Sequence, residues 1–175
     1  MLWNQGVIKN RVVGINLENP LDTDQKSRIS IGQIDYNEVE GGVDGLNYYN
    51  NRAVGKWGLE MDDFLYDDID MTRNAGAKIG LIDSGNSSIQ VPNKIFVNIM
   101  YSMRMHERSI YESSIDGRKI LVARKSCDEL AKVLKPIEFA LQNTKIVIQP
   151  RGYLYHLQGQ SDCFIGIESI PDSTN

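Results

Sequence analysis

The chain is 175 residues long, 41% hydrophobic, and carries a net charge of -4 with a pI near 5.2. That length supports a domain with a real core, and the acidic balance argues against a nucleic-acid partner, whose phosphates need a concentrated basic face. Apolar stretches are short and interrupted, so no membrane segment is expected, and Met1-Leu2-Trp3-Asn4-Gln5-Gly6 lacks the basic and apolar regions of a signal peptide.

Strands dominate the periodicity. Arg11 to Leu17 alternates towards its end and closes at the turn signal Glu18-Asn19-Pro20, and Arg28-Ile29-Ser30-Ile31 alternates polar and apolar residues. Gly41-Gly42 and Asp44-Gly45 mark turns beyond that second strand. The acidic stretch Asp62 to Asp70 lacks the alternating oxygen ligands, central glycine and terminal Glu of a calcium loop. It reads as a solvated hairpin with Phe64, Leu65 and Ile69 turned inwards.

Leu81-Ile82-Asp83-Ser84-Gly85 then places a lone carboxylate inside an apolar strand and turns the chain at once. An unpaired buried carboxylate costs several kcal/mol or titrates to its neutral form, so Asp83 reads as an acid placed for use. Pro92 to Met100 carries apolar residues three and four apart, with proline at the start, and predicts a helix. Asp116-Gly117 reads as a hairpin turn. Ser126 to Leu134 offers a Ser cap, acids in the first turn and a stop before Pro136, which predicts a second helix. Lys145 to Pro150 alternates again, and Tyr153 and Tyr155 give one strand an aromatic face. Many short strands broken by turns indicate an all-β lobe with two or three short helices.

Other chemistries find little support. His106 and His156 stand in no metal-ligand spacing, so no metal is expected, and no cofactor motif is visible. Serines near Asp83 lack a Gly-x-Ser-x-Gly elbow and a neighbouring histidine to activate them. Asn86-Ser87-Ser88 spells an N-glycosylation acceptor, discounted because a sugar there would crowd Asp83. Cys127 and Cys163 admit either a disulfide or a buried reduced pair.

The pattern apolar-apolar-Asp-Ser-Gly, followed by small hydroxyl residues and Pro92, resembles the second active-site loop of the pepsin-like aspartic peptidases. Ile31-Gly32-Gln33-Ile34-Asp35, Lys56-Trp57-Gly58-Leu59-Glu60-Met61, Cys127, Leu134-Lys135-Pro136-Ile137-Glu138-Phe139, Tyr153 and Cys163 resemble further segments of that family's C-terminal lobe, in its order. The resemblance runs from about Gln5 to the end. It implies an inter-lobe strand region over 1–20 and a C-terminal lobe over 21–175, truncated at its C-terminal end.

Chemically, the resemblance implies an aspartic endopeptidase with two carboxylates sharing one proton across a water. Asp83 would be one of them. Ser84 would support the opposite loop, Gly85 would admit backbone N–H groups to the carboxylate, and Ser87 would help bind the substrate backbone. Asn86 stands where the family usually has Thr or Ser. Its longer planar amide can still donate to a carboxylate. The resemblance also implies a Cys127–Cys163 disulfide and a home in the secretory pathway, a lysosome or vacuole, or outside the cell.

No second Asp-(Ser or Thr)-Gly occurs; Asp116-Gly117 lacks the hydroxyl residue and Leu21-Asp22-Thr23-Asp24 lacks the glycine. The expectation is a partial chain, inactive alone, that meets its peptide or protein substrate with a missing N-terminal lobe and needs no cofactor. The alternative is a non-catalytic pepsin-like lobe kept as a binding or inhibitory module, or a decaying duplicate.

Overall fold

The computed structural model describes residues 2–17, 26–73, 76, 78–141, 144–156 and 161–170. They form two compact units, 1–49 and 50–175. The expected division at residue 20 and the Leu21 to Asp24 loop lie outside the described residues.

The first unit is built on one antiparallel hairpin of β1 (Val13–Asn16) and β2 (Arg28–Ile31), with Val13 opposite Ile31. The alternation in both segments produces it. Gly32 comes next with φ +86°, and a Cβ there would stand 2.8 Å from Ile8 Cβ, so conformation and space both demand glycine. Two single 3₁₀ turns, Tyr36–Glu38 and Gly42–Gly45, complete the unit. Glu38 joins them to the hairpin by accepting from Arg28 at 2.6 Å and Asn16 at 2.7 Å.

The second unit holds the core. Its largest sheet orders β12 (Leu154–His156), β13 (Cys163–Ile170), β9 (Arg118–Ala123) and β8 (Ile110–Ile115) antiparallel, with β7 (Ile89–Pro92) parallel to β13. β13 is flanked on both edges and almost wholly buried. α1 (Asn93–His106) packs on this sheet through Ile95, Phe96, Ile99 and Met103, a 3.6-residue repeat aimed at one side. The helix is longer than its first apolar stripe because Met103 extends the buried face by another turn. Pro92 caps it from outside instead of opening its first turn.

A second sheet orders β11 (Thr144–Ile148), β10 (Ile137–Leu141), β4 (Asp63–Tyr66) and β5 (Ile69–Asp70). The acidic stretch is therefore a hairpin, turned at Asp67 and Asp68 with φ of 52° and 60°, the double left-handed geometry of a two-residue turn. Its inward set differs from the expected one. Phe64 and Tyr66 are buried whereas Leu65 is half-buried and Ile69 is 54% exposed, because alternate residues of β4 face opposite ways. Phe64 stacks on Phe139 of β10 with centroids 4.7 Å apart. Asp116 and Gly117, with φ of 50° and 78°, turn the β8–β9 hairpin as read from sequence.

The second predicted helix shortens to α2 (Cys127–Leu130) followed by turns. Its start is as expected: Ser126 accepts from Glu129 N–H, and the Glu129 carboxylate returns to Ser126 N–H, a reciprocal cap. One residue inside, Cys127 is joined by a disulfide to Cys163 at the head of β13, with Cα atoms 5.0 Å apart. That bond ties α2 to the central strand.

Candidate active site

Asp83 stands two residues beyond β6 (Ile79–Leu81), which pairs antiparallel with β3 (Gly58–Glu60) in a two-stranded ribbon. Ribbon pairing continues one residue past the strands, where Ile82 N–H donates to Trp57 O at 2.8 Å. Asn51 holds the approach to β3: its Oδ1 accepts from Ala53 N–H and Gly58 N–H, and its Nδ2 donates to Lys56 O. Nothing in the sequence singled out Asn51. An Asn several residues before a strand is a common turn signal, and only the fold shows that it reaches three backbone groups at once.

The loop after Asp83 folds on itself. Asp83 Oδ1 accepts the Gly85 N–H at 2.9 Å, an Asx turn that needs the backbone of Gly85 close to the acid. A Cβ on Gly85 would lie 3.2 Å from that same oxygen, so glycine leaves the approach clear. Asn86 does not donate to the carboxylate. Its Nδ2 donates to Ser88 O at 2.6 Å, bracing the far side of the loop where it enters β7. Ser84 and Ser87 are exposed, and the Ser88 hydroxyl oxygen is buried with no hydrogen-bond partner among the described residues.

The apolar run leading into Asp83 predicts a buried acid, and the geometry differs. Asp83 is exposed, as are Leu81 at 50%, Ile82 at 57% and Trp57 at 70%. The cause is the ribbon itself. The two short strands leave Ile79, Leu81 and Ile82 uncovered, whereas β9 and β13 of the largest sheet are mostly buried between their neighbours. A carboxylate beside so much uncovered apolar surface has the setting of a site that another surface must close.

Two braces fix the rest of the unit. Backbone N–H of Lys135 donates to the Tyr66 hydroxyl at 3.2 Å, and the Tyr153 hydroxyl donates to Lys135 O at 2.6 Å. Burial pushes the Tyr66 hydroxyl up to about 12, against the lowering effect of the Lys135 N–H, and burial likewise pushes Tyr153 up. At the end of α1, the buried Glu107 accepts from Lys125 Nζ at 2.6 Å and from Ser109 N–H at 2.9 Å. The Lys125 ammonium holds that carboxyl below the usual range. His106 pairs instead with Asp67 at 3.0 Å, and no group of metal-ligating side chains occurs among the described residues. No helix of the described residues is long and apolar enough to cross a membrane.

A mostly β lobe with an acid at a Ser-Gly turn, a Cys127–Cys163 disulfide and a buried Tyr153 narrows the family. The eukaryotic aspartyl protease family model matches residues 1–175. The chain belongs to the eukaryotic aspartyl protease family. Curated aspartyl protease relatives include a probable aspartic-type endopeptidase CTSD of Arthroderma otae, 23% identical over an alignment of 167 residues that covers 88% of this chain and 43% of that protein. Proteins of the same name from Arthroderma benhamiae and Trichophyton verrucosum are 29% and 31% identical over 92 and 93 residues, each 53% of this chain and 17% of the relative. The chain thus spans less than half the length of the aspartyl protease relatives it matches.

Proposed function

We propose that this chain supplies one carboxylate, Asp83, to an aspartic endopeptidase site whose second carboxylate comes from outside these 175 residues. The supporting observation is the Asp83 turn: an exposed acid whose inner oxygen is held by Gly85 N–H, at the end of a ribbon with uncovered apolar faces. In the chemistry of the shared-proton dyad, one acid must be ionised to take a proton from water while the other is protonated to polarise the peptide carbonyl. Asp83 alone can hold one of those states at a time. The 175-residue chain is accordingly inactive alone.

In this reading Ser84 and Ser87, exposed on the loop, meet the facing lobe and the peptide backbone, and Gly85 keeps the carboxylate oxygen accessible. Peptide or protein is the substrate, and the Cys127–Cys163 bond fits an oxidising compartment such as the secretory pathway, a lysosome or vacuole, or the exterior. The test is turnover of acid-denatured globin at about pH 4, between the two dyad pKa values typical of the family. The chain is expected to match its Asp83→Asn variant in showing none. Turnover blocked by a statine-type inhibitor and abolished by Asp83→Asn would overturn the claim that it is half a site.

One observation favours a second reading. Asn86 spends its amide on Ser88 O, so no side chain of the loop donates to Asp83. A non-catalytic lobe, kept for binding or inhibition, has no need of such a donor. Restored donation in Asn86→Thr, joined with a complete partner lobe, raises activity if the first reading holds and has no effect if the second does.

A further inference from the structure

β11 lies at the edge of its sheet, and the ladders beneath it fix which of its backbone groups are free. Met71 N–H donates to Phe64 O at 2.8 Å, so the backbone groups of Phe64 and Tyr66 point to β5 and those of Asp63 and Leu65 point to β10. Their partners Ala140 and Glu138 face β4, in line with the Asp62 N–H donated to Ala140 O, and Ile137, Phe139 and Leu141 face β11. Those three meet Ile148, Ile146 and Thr144. The N–H and C=O groups of Lys145 and Val147 are left pointing outwards, and neither backbone has a partner among the described residues. Side chains leave this edge open as well. On one face Phe64 stacks on Phe139, and Ile146, opposite Phe139, carries that apolar row to the edge, where it is 42% exposed. On the other face Val147 is 43% exposed, and Lys145, the one charge of β11, is bonded to Glu138 instead of standing free to repel a neighbouring strand.

We propose that β11 is a self-association edge, which takes β11 of a second copy of this chain antiparallel about a two-fold axis at Ile146. In that register Lys145 stands opposite the second copy's Val147, and Val147 opposite its Lys145, so their outward groups exchange about four N–H to C=O bonds. Ile146 meets its own copy. The row Phe64, Phe139, Ile146 then continues into the second sheet. On the other face each Lys145 ammonium lies between two carboxylates, Glu138 of its own chain and Glu138 of the other, because Glu138 is the β10 neighbour of Val147. Neighbouring registers fail on the same rules. A two-fold at Lys145 sets like charges directly opposite, and one at Val147 runs the pairing into Gln149, where the strand gives way to the 3₁₀ turn Pro150–Gly152. This match of charge and apolar content selects a second copy over an unrelated strand. Two strands of five residues bury less than about 1,200 Å², which gives a weak pair with a dissociation constant on the order of 100 µM.

The test is directed cross-linking of the full 175-residue chain, with sedimentation as a second readout. Directly opposite residues of a non-hydrogen-bonded antiparallel pair have Cα atoms about 4.5 Å apart, within disulfide reach. Ile146→Cys, air-oxidised at about 300 µM, above that constant, is expected to give a covalent dimer of twice 19.8 kDa, its link located by peptide mapping. Lys145→Cys and Val147→Cys, which never meet themselves in this register, stay monomeric under the same conditions. Without any substitution, the weight-average mass in sedimentation rises from 19.8 kDa towards twice that value with concentration. Val147→Pro removes an outward N–H without touching the ladder to β10, so it keeps the circular dichroism of the parent and loses the rise. More covalent dimer from Lys145→Cys or Val147→Cys than from Ile146→Cys moves the contact elsewhere and overturns the proposal. A mass that stays at 19.8 kDa at every concentration overturns it too, as does a rise that Val147→Pro leaves unchanged.

Discussion

Lys125 reaches back to Glu107, its Nζ 2.6 Å from the carboxylate Oε2, and so joins the strand-end that leads to Cys127 with the last turn of α1. Glu107 is 9% exposed, and Ser109 N–H occupies its other oxygen. The hydrogen bonds from Lys125 and Ser109 lower its pKa in the folded chain against an opposing burial cost. A carboxyl lowered by folding adds stability above its unfolded value, near 4.3, and loses it as pH falls through the folded value. Lys125→Met removes the first cause. Its acid-unfolding midpoint, followed by circular dichroism, is expected to lie at higher pH than that of the parent chain, and an unchanged midpoint would mean the pair adds nothing.

Tyr66 and Tyr153 hold the two polar backbone groups of one residue, the N–H and the C=O of Lys135. Tyr66→Phe leaves that N–H without its acceptor and is expected to cost about 1–3 kcal/mol, while Tyr153→Phe removes one neutral bond at about 1 kcal/mol. Both hydroxyls are raised in the folded state. Their contribution is present below the unfolded value near 10 and lost as pH rises from there towards about 12 for Tyr66. Absorbance titration at alkaline pH should show two tyrosines ionising together with unfolding.

The disulfide closes a span of 36 residues, which the chain-entropy model values at about 4 kcal/mol. Reduction should lower the melting temperature of the chain measurably. A melt that is the same with and without reductant would contradict the structural role of the Cys127–Cys163 bond.

Some of this was legible in sequence and some was not. Asp116-Gly117 and the Ser126-Glu129 cap arise from local chemistry and appear in the structure as read. The choice between paired and reduced cysteines was not local; family resemblance pointed to the pairing that the fold makes. β13 is not legible in sequence because Cys163-Phe164-Ile165-Gly166-Ile167 is a continuous apolar run, without the alternation that marks a half-buried strand, and only its place between β9, β7 and β12 explains it. The residues before Asp83 predict its burial, yet Leu81 and Ile82 are themselves uncovered. Apolar neighbours signal a surface meant to be covered, and say nothing of which chain covers it.

Gly85 offers a sharper check on the loop than any apolar residue near it. A methyl group there would press against Asp83 Oδ1 at 3.2 Å, so Gly85→Ala should disturb the carboxylate while leaving the fold intact. Melting within about 1 kcal/mol of the parent, together with altered Asp83 and Asn86 amide resonances, is the expected pair of results. Unaltered resonances would show that the close approach does not constrain the acid.

The most direct measurement is complementation. The chain is refolded with an N-terminal lobe of an aspartic endopeptidase such as the Arthroderma otae relative, carrying its own active-site acid, and globin cleavage is assayed at about pH 4. Cleavage that appears only with both pieces, is blocked by a statine-type inhibitor and disappears in Asp83→Asn is the predicted result. Cleavage by the joined pieces that survives Asp83→Asn would contradict the assignment of Asp83 as half of the catalytic pair.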